Sequence, residues 1–183
     1  MTSQTAQPTR APRADSCLIR KSIDLFSRIP DSLIALLARF ALAATFWSSG
    51  QTKVQGFAIN FITGNFEFGW PQLSDSVVEL FREEYKLPII PPELAAPMAA
   101  FAEHLFPLLL LIGLATRFSA LALLGMTMTI QIFVYPDAYA LHGAWAACLL
   151  FLMAKGGGAV SVDALIARRC GATGACPVRN EAA

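Results

Sequence analysis

Apolar residues gather in four blocks along the chain, and polar positions fall mostly between them. The blocks cover residues 32–52, 95–116, 118–135 and 141–153, the last extending to Lys155. None carries the continuous polar stripe that a helix in a water-soluble bundle turns to solvent. A helix needs about 20 mostly apolar residues to cross a hydrocarbon core of roughly 30 Å. The first two blocks meet that length, the third is near the lower limit, and the fourth is short and draws on its flanks. The pattern predicts an all-α, polytopic four-helix membrane bundle. The first block starts too late and runs too long for a cleaved signal peptide.

The same pattern divides the chain into an N-terminal segment (1–31), a transmembrane domain (32–155, with a loop at 53–94) and a tail (156–183). Residues 1–14 are rich in Pro, Thr, Gln and Ala and read as disordered. From 16 to 28, Leu18, Ile19, Ile23, Leu25 and Phe26 alternate with Arg20, Lys21, Asp24 and Arg28. That is a short amphipathic helix suited to the cytoplasmic leaflet, and Pro30 ends it. Basic residues orient the bundle. Arg10, Arg13, Arg20, Lys21 and Arg28 precede the first span, Arg117 follows the second, and Lys155, Arg168, Arg169 and Arg179 follow the fourth. Lys53, Arg82 and Lys86 fall on the other side, so both termini are expected in the cytoplasm.

Within the outward loop, residues 74–86 (SDSVVELFREEYK) predict a helix with Val77, Leu80, Phe81 and Tyr85 on one side. Ser76 and Glu79 have capping-box spacing, and Pro88, Pro91 and Pro92 stop the helix. The aromatic stretch 56–73 has two readings, packing at the headgroup belt or a lid over an apolar-ligand site.

Composition agrees with the spans. Of 183 residues, 55% are hydrophobic and 15% charged, against about 25% charged in soluble domains. This excludes an intrinsically disordered chain. A net charge of +1 gives no footprint for nucleic acid.

An ionisable group inside a span costs about 2.5–3.5 kcal/mol on insertion scales and marks a functional candidate. Arg39 and Glu103 are the two clear cases, with His104 and Gln131 as polar company. By helical rise Arg39 lies ~10 Å from the cytoplasmic end, and Glu103, His104 and Gln131 lie ~18–20 Å from it. Trp47, Ser48 and Ser49 reach a similar level, and Lys53 and His142 sit at the outer boundary. Glu103 is expected to pair with Arg39 reaching outward or Lys53 reaching inward. Three readings stay open: a fastener between helices, a proton-handling carboxylate beside a quinol-type ligand, or an ion or small-molecule pathway. Glu103 and Arg39 are thus the candidate catalytic groups. Lys53, His104, Gln131, Trp47 and His142 are the candidate ligand-binding ones, with Trp47 and Trp145 as an apolar wall. Glu103 and His104 point about 100° apart on a helix and make a poor joint ligand pair. Two histidines at different heights do not suggest haem, and no metal-site spacing is present. Cys17 and Cys148 stand alone, and the five residues between Cys170 and Cys176 do not make a redox CxxC.

Three motifs, in order and each on its own span, resemble the DoxX family of small bacterial membrane proteins. The first span carries Arg39, Gly50 and Lys53. The second carries Glu103 and then GLATR, from Gly113 to Arg117. The fourth ends in KGGGAVSVDAL, with Gly156, Gly158, Ser161 and Asp163. The resemblance covers residues 34–166. It implies a four-helix bundle of the inner membrane. The family is named after a subunit of a terminal quinol oxidase and is similar to the membrane part of a thiosulfate:quinone oxidoreductase. Other members look like membrane partners of redox-defence or metal-handling proteins. The implied function is a membrane subunit serving quinone-linked electron transfer, with quinone as the ligand and any redox centre on a partner protein. The alternatives are a non-catalytic anchor or assembly partner, and a small transporter that oligomerises. The outward loop is longer than in the compact family pattern, and Lys155 precedes a Gly-rich run. Physically, GLATR makes a tight turn anchored by Arg117. Ser161 or Asp163 is placed to cap a helix beginning VDALIARR.

Overall fold

The computed structural model describes residues 14–60 and 64–172. The chain divides into two units at Pro30. In the first, α1 (Ala14–Phe26) starts and ends two residues before the periodicity predicts. Leu18, Ile19, Ile23, Leu25 and Phe26 are all exposed on it. Residues 1–13, the side chain of Cys17 and all of Cys176 lie outside the described set.

The second unit holds four helices long and apolar enough to cross a membrane. They are α2 (Asp31–Gln51), α4 (Pro92–Ile112), α5 (Thr116–Thr129, continuing as a π-helical turn over Ile130–Val134) and α6 (Tyr139–Lys155). The fourth span is not short. A 3-10 turn, Pro136–Ala138, precedes α6 and brings it to 20 residues. Proline's fixed φ suits a first helical turn, and Asp137 breaks the apolar run there, so hydropathy places the start too late. The second span ends at Ile112, earlier than 116. Gly113 turns left-handed at φ 72°, and Leu114 N–H closes on the Leu109 carbonyl at 2.9 Å, a helix ending that glycine favours.

α2 packs on α4 and α6, and α5 packs on α4 and α6, which closes a ring of four. Ala35, Leu42, Phe46, Leu110, Ala120, Leu123, Leu149 and Leu152 fill its centre. Leu37, Phe40, Phe101, Leu108, Leu121 and Leu150 face outward and exposed. With apolar residues on both sides, these helices suit lipid, where small residues such as Ala35 and Ala120 allow close approach.

The loop between α2 and α4 contains strands that the sequence reading does not predict. β1 (Val54–Asn60) pairs antiparallel with β2 (Asn65–Leu73), from Val54 opposite Leu73 to Asn60 opposite Asn65, with a register slip at Gly56. α3 (Asp75–Leu80) follows and continues as a π-helical segment, Phe81–Tyr85. It packs through Val77 and Phe81 onto Ala95 and Ala96 of α4. The Ser76–Glu79 capping box does not form. The helix begins at Asp75, so Ser76 lies inside the first turn, and its Oγ meets Ser74 Oγ at 3.0 Å.

The opposite end of the bundle is closed by short connections. The turn 113–115 joins α4 to α5, and α7 (Val162–Ala172) follows α6. Ser161 Oγ accepts from Ala164 N–H at 3.1 Å and caps α7. Asp163 caps α5 instead, its carboxylate accepting from Ala115 N–H at 2.8 Å and Thr116 N–H at 2.9 Å. Lys155 and Asp31, 2.9 Å apart, join the end of α6 to the start of α2.

Candidate functional site

A cavity of about 500 Å³ opens among the four spans at the hairpin end. Thr45, Phe46, Met98, Ala102, Met126 and Leu141 are among its apolar walls, and Phe81, Tyr85 and Leu87 come from the α3 segment and the chain after it. One wall is charged. Lys53 Nζ donates to Glu103 Oε2 at 2.7 Å, with the side chains 5% and 4% exposed. Its other contacts are the Ser49 carbonyl at 3.3 Å and Ser49 Oγ at 3.1 Å. Local chain geometry brings these groups together. α2 ends at Gln51, Lys53 N–H bonds back to the Gly50 carbonyl at 2.9 Å, and the lysine stem folds back toward Ser49. Gly50 lets α4 press against this corner, because a Cβ there would lie 2.9 Å from His104 Cε1 and 3.1 Å from Glu103 Cβ.

A second polar wall comes from α6. His142 is 5% exposed, and its Nδ1 lies 2.8 Å from Gln131 Oε1. The Gln131 amide nitrogen donates to the Pro136 carbonyl at 2.6 Å. Trp145 stacks tilted on His142 at 5.1 Å between ring centroids. At the mouth, Tyr135 donates a short hydrogen bond to Glu84 and meets Tyr85 edge-on at 6.0 Å. The bond to Glu84, then burial, holds the Tyr135 phenol well above its ordinary pKa. Burial pushes the Tyr85 phenol up as well. Both are therefore neutral phenols at physiological pH.

Of the residues expected at the site, Lys53, Glu103, His142 and Trp145 line one cavity. His104, Trp47 and Gln131 do not. His104 Nδ1 donates to the Ala100 carbonyl at 2.7 Å, and its Nε2 accepts from Gln51 Nε2 at 2.9 Å. Trp47 meets His104 edge-on and donates to the Ile59 carbonyl at 3.1 Å. Gln51 Oε1 accepts from Ile59 N–H at 2.7 Å. These three side chains fasten β1 to the spans. Gln131 stands behind His142 and orients it.

Arg39 does not pair with Glu103. It lies toward the end of the 113–115 turn, and its guanidinium donates to the carbonyls of Leu110 (2.7 Å), Leu111 (2.6 Å), Gly157 (2.8 Å) and Val160 (2.7 Å). The last carbonyls of a helix have no intrahelical donor, and arginine's fork of five N–H groups can serve several at once. A cation one helical stretch away, Lys53, is the one that neutralises the carboxylate.

Sequence reasoning missed Tyr85, Tyr135, Phe81 and Leu87 as cavity residues. The available signal was the apolar side of the 74–86 helix, which needed somewhere to be buried. Among the described residues, no three His, Cys, Asp or Glu side chains gather as a metal-binding group.

Residues 34–136 match the DoxX family. Over 139 residues, 72% of this chain and 82% of the other, the sequence is 29% identical to an uncharacterized protein of Haemophilus influenzae. No solved structure matches the chain. The matched region contains Arg39, Gly50, Lys53, Glu103 and the cavity walls as far as Tyr135, and on that span the chain belongs to the DoxX family of membrane proteins.

Proposed function

We propose that this protein is an integral subunit of the bacterial inner membrane that holds a quinone-type ligand in the cavity at its hairpin end, in association with a redox partner. Both termini lie in the cytoplasm and the hairpin end faces outward, following the basic residues. The observation that carries the reading is a half-open, mostly apolar space with two separate polar walls, Lys53–Glu103 and His142. About 500 Å³ is within the range of small-ligand sites, where apolar walls supply affinity and a few placed polar groups orient the guest. A ring with oxygen substituents and an apolar tail fits that distribution of surfaces. When bound, a quinone supplies two-electron, two-proton chemistry. This chain binds and orients it, excludes water through Phe81 and Leu87, and keeps a carboxylate within the cavity wall.

The test is direct. Protein purified from membranes should carry extractable quinone in near-stoichiometric amount, and Ala102→Phe, which fills the cavity, should remove it. A preparation that neither carries quinone nor binds it on titration refutes the reading.

A second reading, a membrane anchor for a partner protein, is favoured by the hairpin. Phe68 and Trp70, on the same side of β2, are 78% and 84% exposed. A partner that co-purifies with the wild type and is lost from the Phe68→Ser, Trp70→Ser double variant supports it. Co-purification unaffected by those changes removes it.

A further inference from the structure

The hydrogen-bonding sense of the cavity is lopsided. The Lys53 ammonium is occupied by Ser49 and Glu103. Thr45 donates to the Ala41 carbonyl at 2.9 Å and Thr129 to the Gly125 carbonyl at 3.0 Å. Ser49 Oγ accepts from Lys53 Nζ at 3.1 Å. The Tyr135 hydroxyl donates its hydrogen bond to Glu84, and Tyr85 meets the Tyr135 ring edge-on.

On the accepting side two groups face the cavity, the Glu103 carboxylate, met at Oε2 by Lys53, and the His142 imidazole. The Gln131 amide nitrogen is committed to the Pro136 carbonyl, so the Gln131 oxygen faces the imidazole. Reversing that amide would set one carbonyl oxygen against another. An oxygen facing Nδ1 requires the proton on Nδ1. In the neutral ring Nε2 then carries a lone pair, and an imidazole has one acceptor only in that state. No protein group among the described residues meets Nε2, and it is not sealed off from the cavity. The nearby Trp145 indole N–H is likewise without a protein partner among the described residues.

We infer that His142 Nε2 is the acceptor for a ligand hydroxyl, so that the cavity prefers the hydroxyl-bearing form of a ring ligand, a hydroquinone, over its carbonyl form. A hydroxyl gives its proton to Nε2 and can still accept from the indole. A carbonyl can only accept, and it would set its lone pairs against that of Nε2. An acceptor left unpaired when an apolar ligand covers it keeps its desolvation cost, and this makes the discrimination asymmetric. The inference rests on the ligand-binding reading above and adds which form of the ligand is held. His142 acts here on binding, and the inference involves no electron transfer.

The experiment uses the full chain in lipid nanodiscs. It titrates a decyl-substituted benzoquinone, its hydroquinone and the dimethyl ether of that hydroquinone, following the fluorescence of Trp145 in a Trp47→Phe, Trp70→Phe background. The hydroquinone is expected to bind about 10-fold more tightly than the quinone, the effect of one well-placed hydrogen bond. The dimethyl ether, which has no proton to give, should bind no better than the quinone. His142→Phe should bring the two redox forms to within about twofold of each other while binding persists, since only the acceptor has gone. Equal affinities for quinone and hydroquinone in wild type would overturn the inference and leave the ligand-binding reading standing. So would a preference that survives His142→Phe. If none of the three probes binds wild type, both fall. If the His142 variant does not fold, the dimethyl ether decides alone: binding as tight as the hydroquinone's overturns the inference.

Discussion

Removing one member of the Lys53–Glu103 pair should cost much more than removing both. The two charged groups lie 2.7 Å apart with side chains 5% and 4% exposed, so neither can regain water when the other is deleted. Lys53→Met leaves the buried carboxylate in a mostly apolar cavity wall without its cation. Breaking a buried pair by removing one partner typically costs about 3–5 kcal/mol, whereas replacing both partners with apolar residues of similar volume is often neutral. Glu103→Leu should likewise strand the ammonium, whose remaining contacts are the carbonyl and hydroxyl of Ser49. The double variant Lys53→Met, Glu103→Leu should fold with stability within about 1 kcal/mol of wild type. The coupling in the double-mutant cycle is therefore about 3 kcal/mol or more. Reversible unfolding in mixed micelles, read by tryptophan fluorescence, measures all four corners. A coupling below about 0.5 kcal/mol, the noise expected of independent sites, would mean that the pair is not buried as described. If the double variant is stable but has lost its ligand, the pair serves binding; if it keeps the ligand, the pair is a fastener.

Three further outcomes follow from the packing. Arg39→Lys keeps the charge but offers three N–H groups where four carbonyls are now met. It should cost about 2–3 kcal/mol while leaving ligand affinity at the far cavity unchanged; a change in affinity without loss of stability would place Arg39 in the site after all. Gly50→Ala sets a methyl 2.9 Å from the His104 ring, and thermal unfolding should show a loss of about 1–3 kcal/mol from overpacking; an unshifted midpoint would refute the close α2–α4 contact. Tyr135→Phe removes the bond to Glu84, and hydrogen exchange at residues 81–87 should accelerate, whereas unchanged protection would show that the roof is held without that bond, by the Val77 and Phe81 packing and the Arg82–Glu93 pair.

Much of the bundle could be read from the chain because lipid demands long apolar runs with few alternatives. The hairpin could not. Phe66, Phe68 and Trp70 recur with period two, but Gly56, Gly64, Gly69 and Pro71 interrupt the alternation, and strand pairing depends on a partner segment that local pattern does not identify. Lys53 and Arg39 were equally able to neutralise Glu103 on helical depth alone. What separates them is the position of the carbonyls of Leu110, Leu111, Gly157 and Val160 that receive the guanidinium, the two groups more than 40 positions apart in sequence and meeting only in the fold. The two histidines, both expected at the site, part company in the fold. His104, about 100° around from Glu103, turns away to Gln51, and His142 lines the cavity.

The two ends of the bundle are built from different chemistry, and this decides where a guest can enter. At the end of the 113–115 turn, Arg39 binds the last carbonyls of α4 to the chain after α6, Asp163 caps α5, and Lys155 meets Asp31. Each of these ties joins elements far apart in sequence, and Gly113 leaves no room for slack, since a Cβ there would lie 2.5 Å from Ser161 Cβ. At the hairpin end the spans are held by the Lys53–Glu103 pair, by the Gln51–His104 and Gln131–His142 hydrogen bonds and by aromatic contacts, and an exposed Arg82–Glu93 pair ties the roof to α4. Both π-helical segments, 81–85 and 130–134, contribute residues to the cavity wall. Such segments break the regular hydrogen-bond ladder and are frequent at functional sites. The opening expected for the proposed ring ligand is at the hairpin end, where it takes separating Tyr135 from Glu84, parting the exposed Arg82–Glu93 pair and lifting Phe81. Cross-linking residues 84 and 135 as a cysteine pair should block ligand exchange, whereas a cross-link between residues 31 and 155 should leave it unaffected. The reverse result would move the entrance to the opposite face.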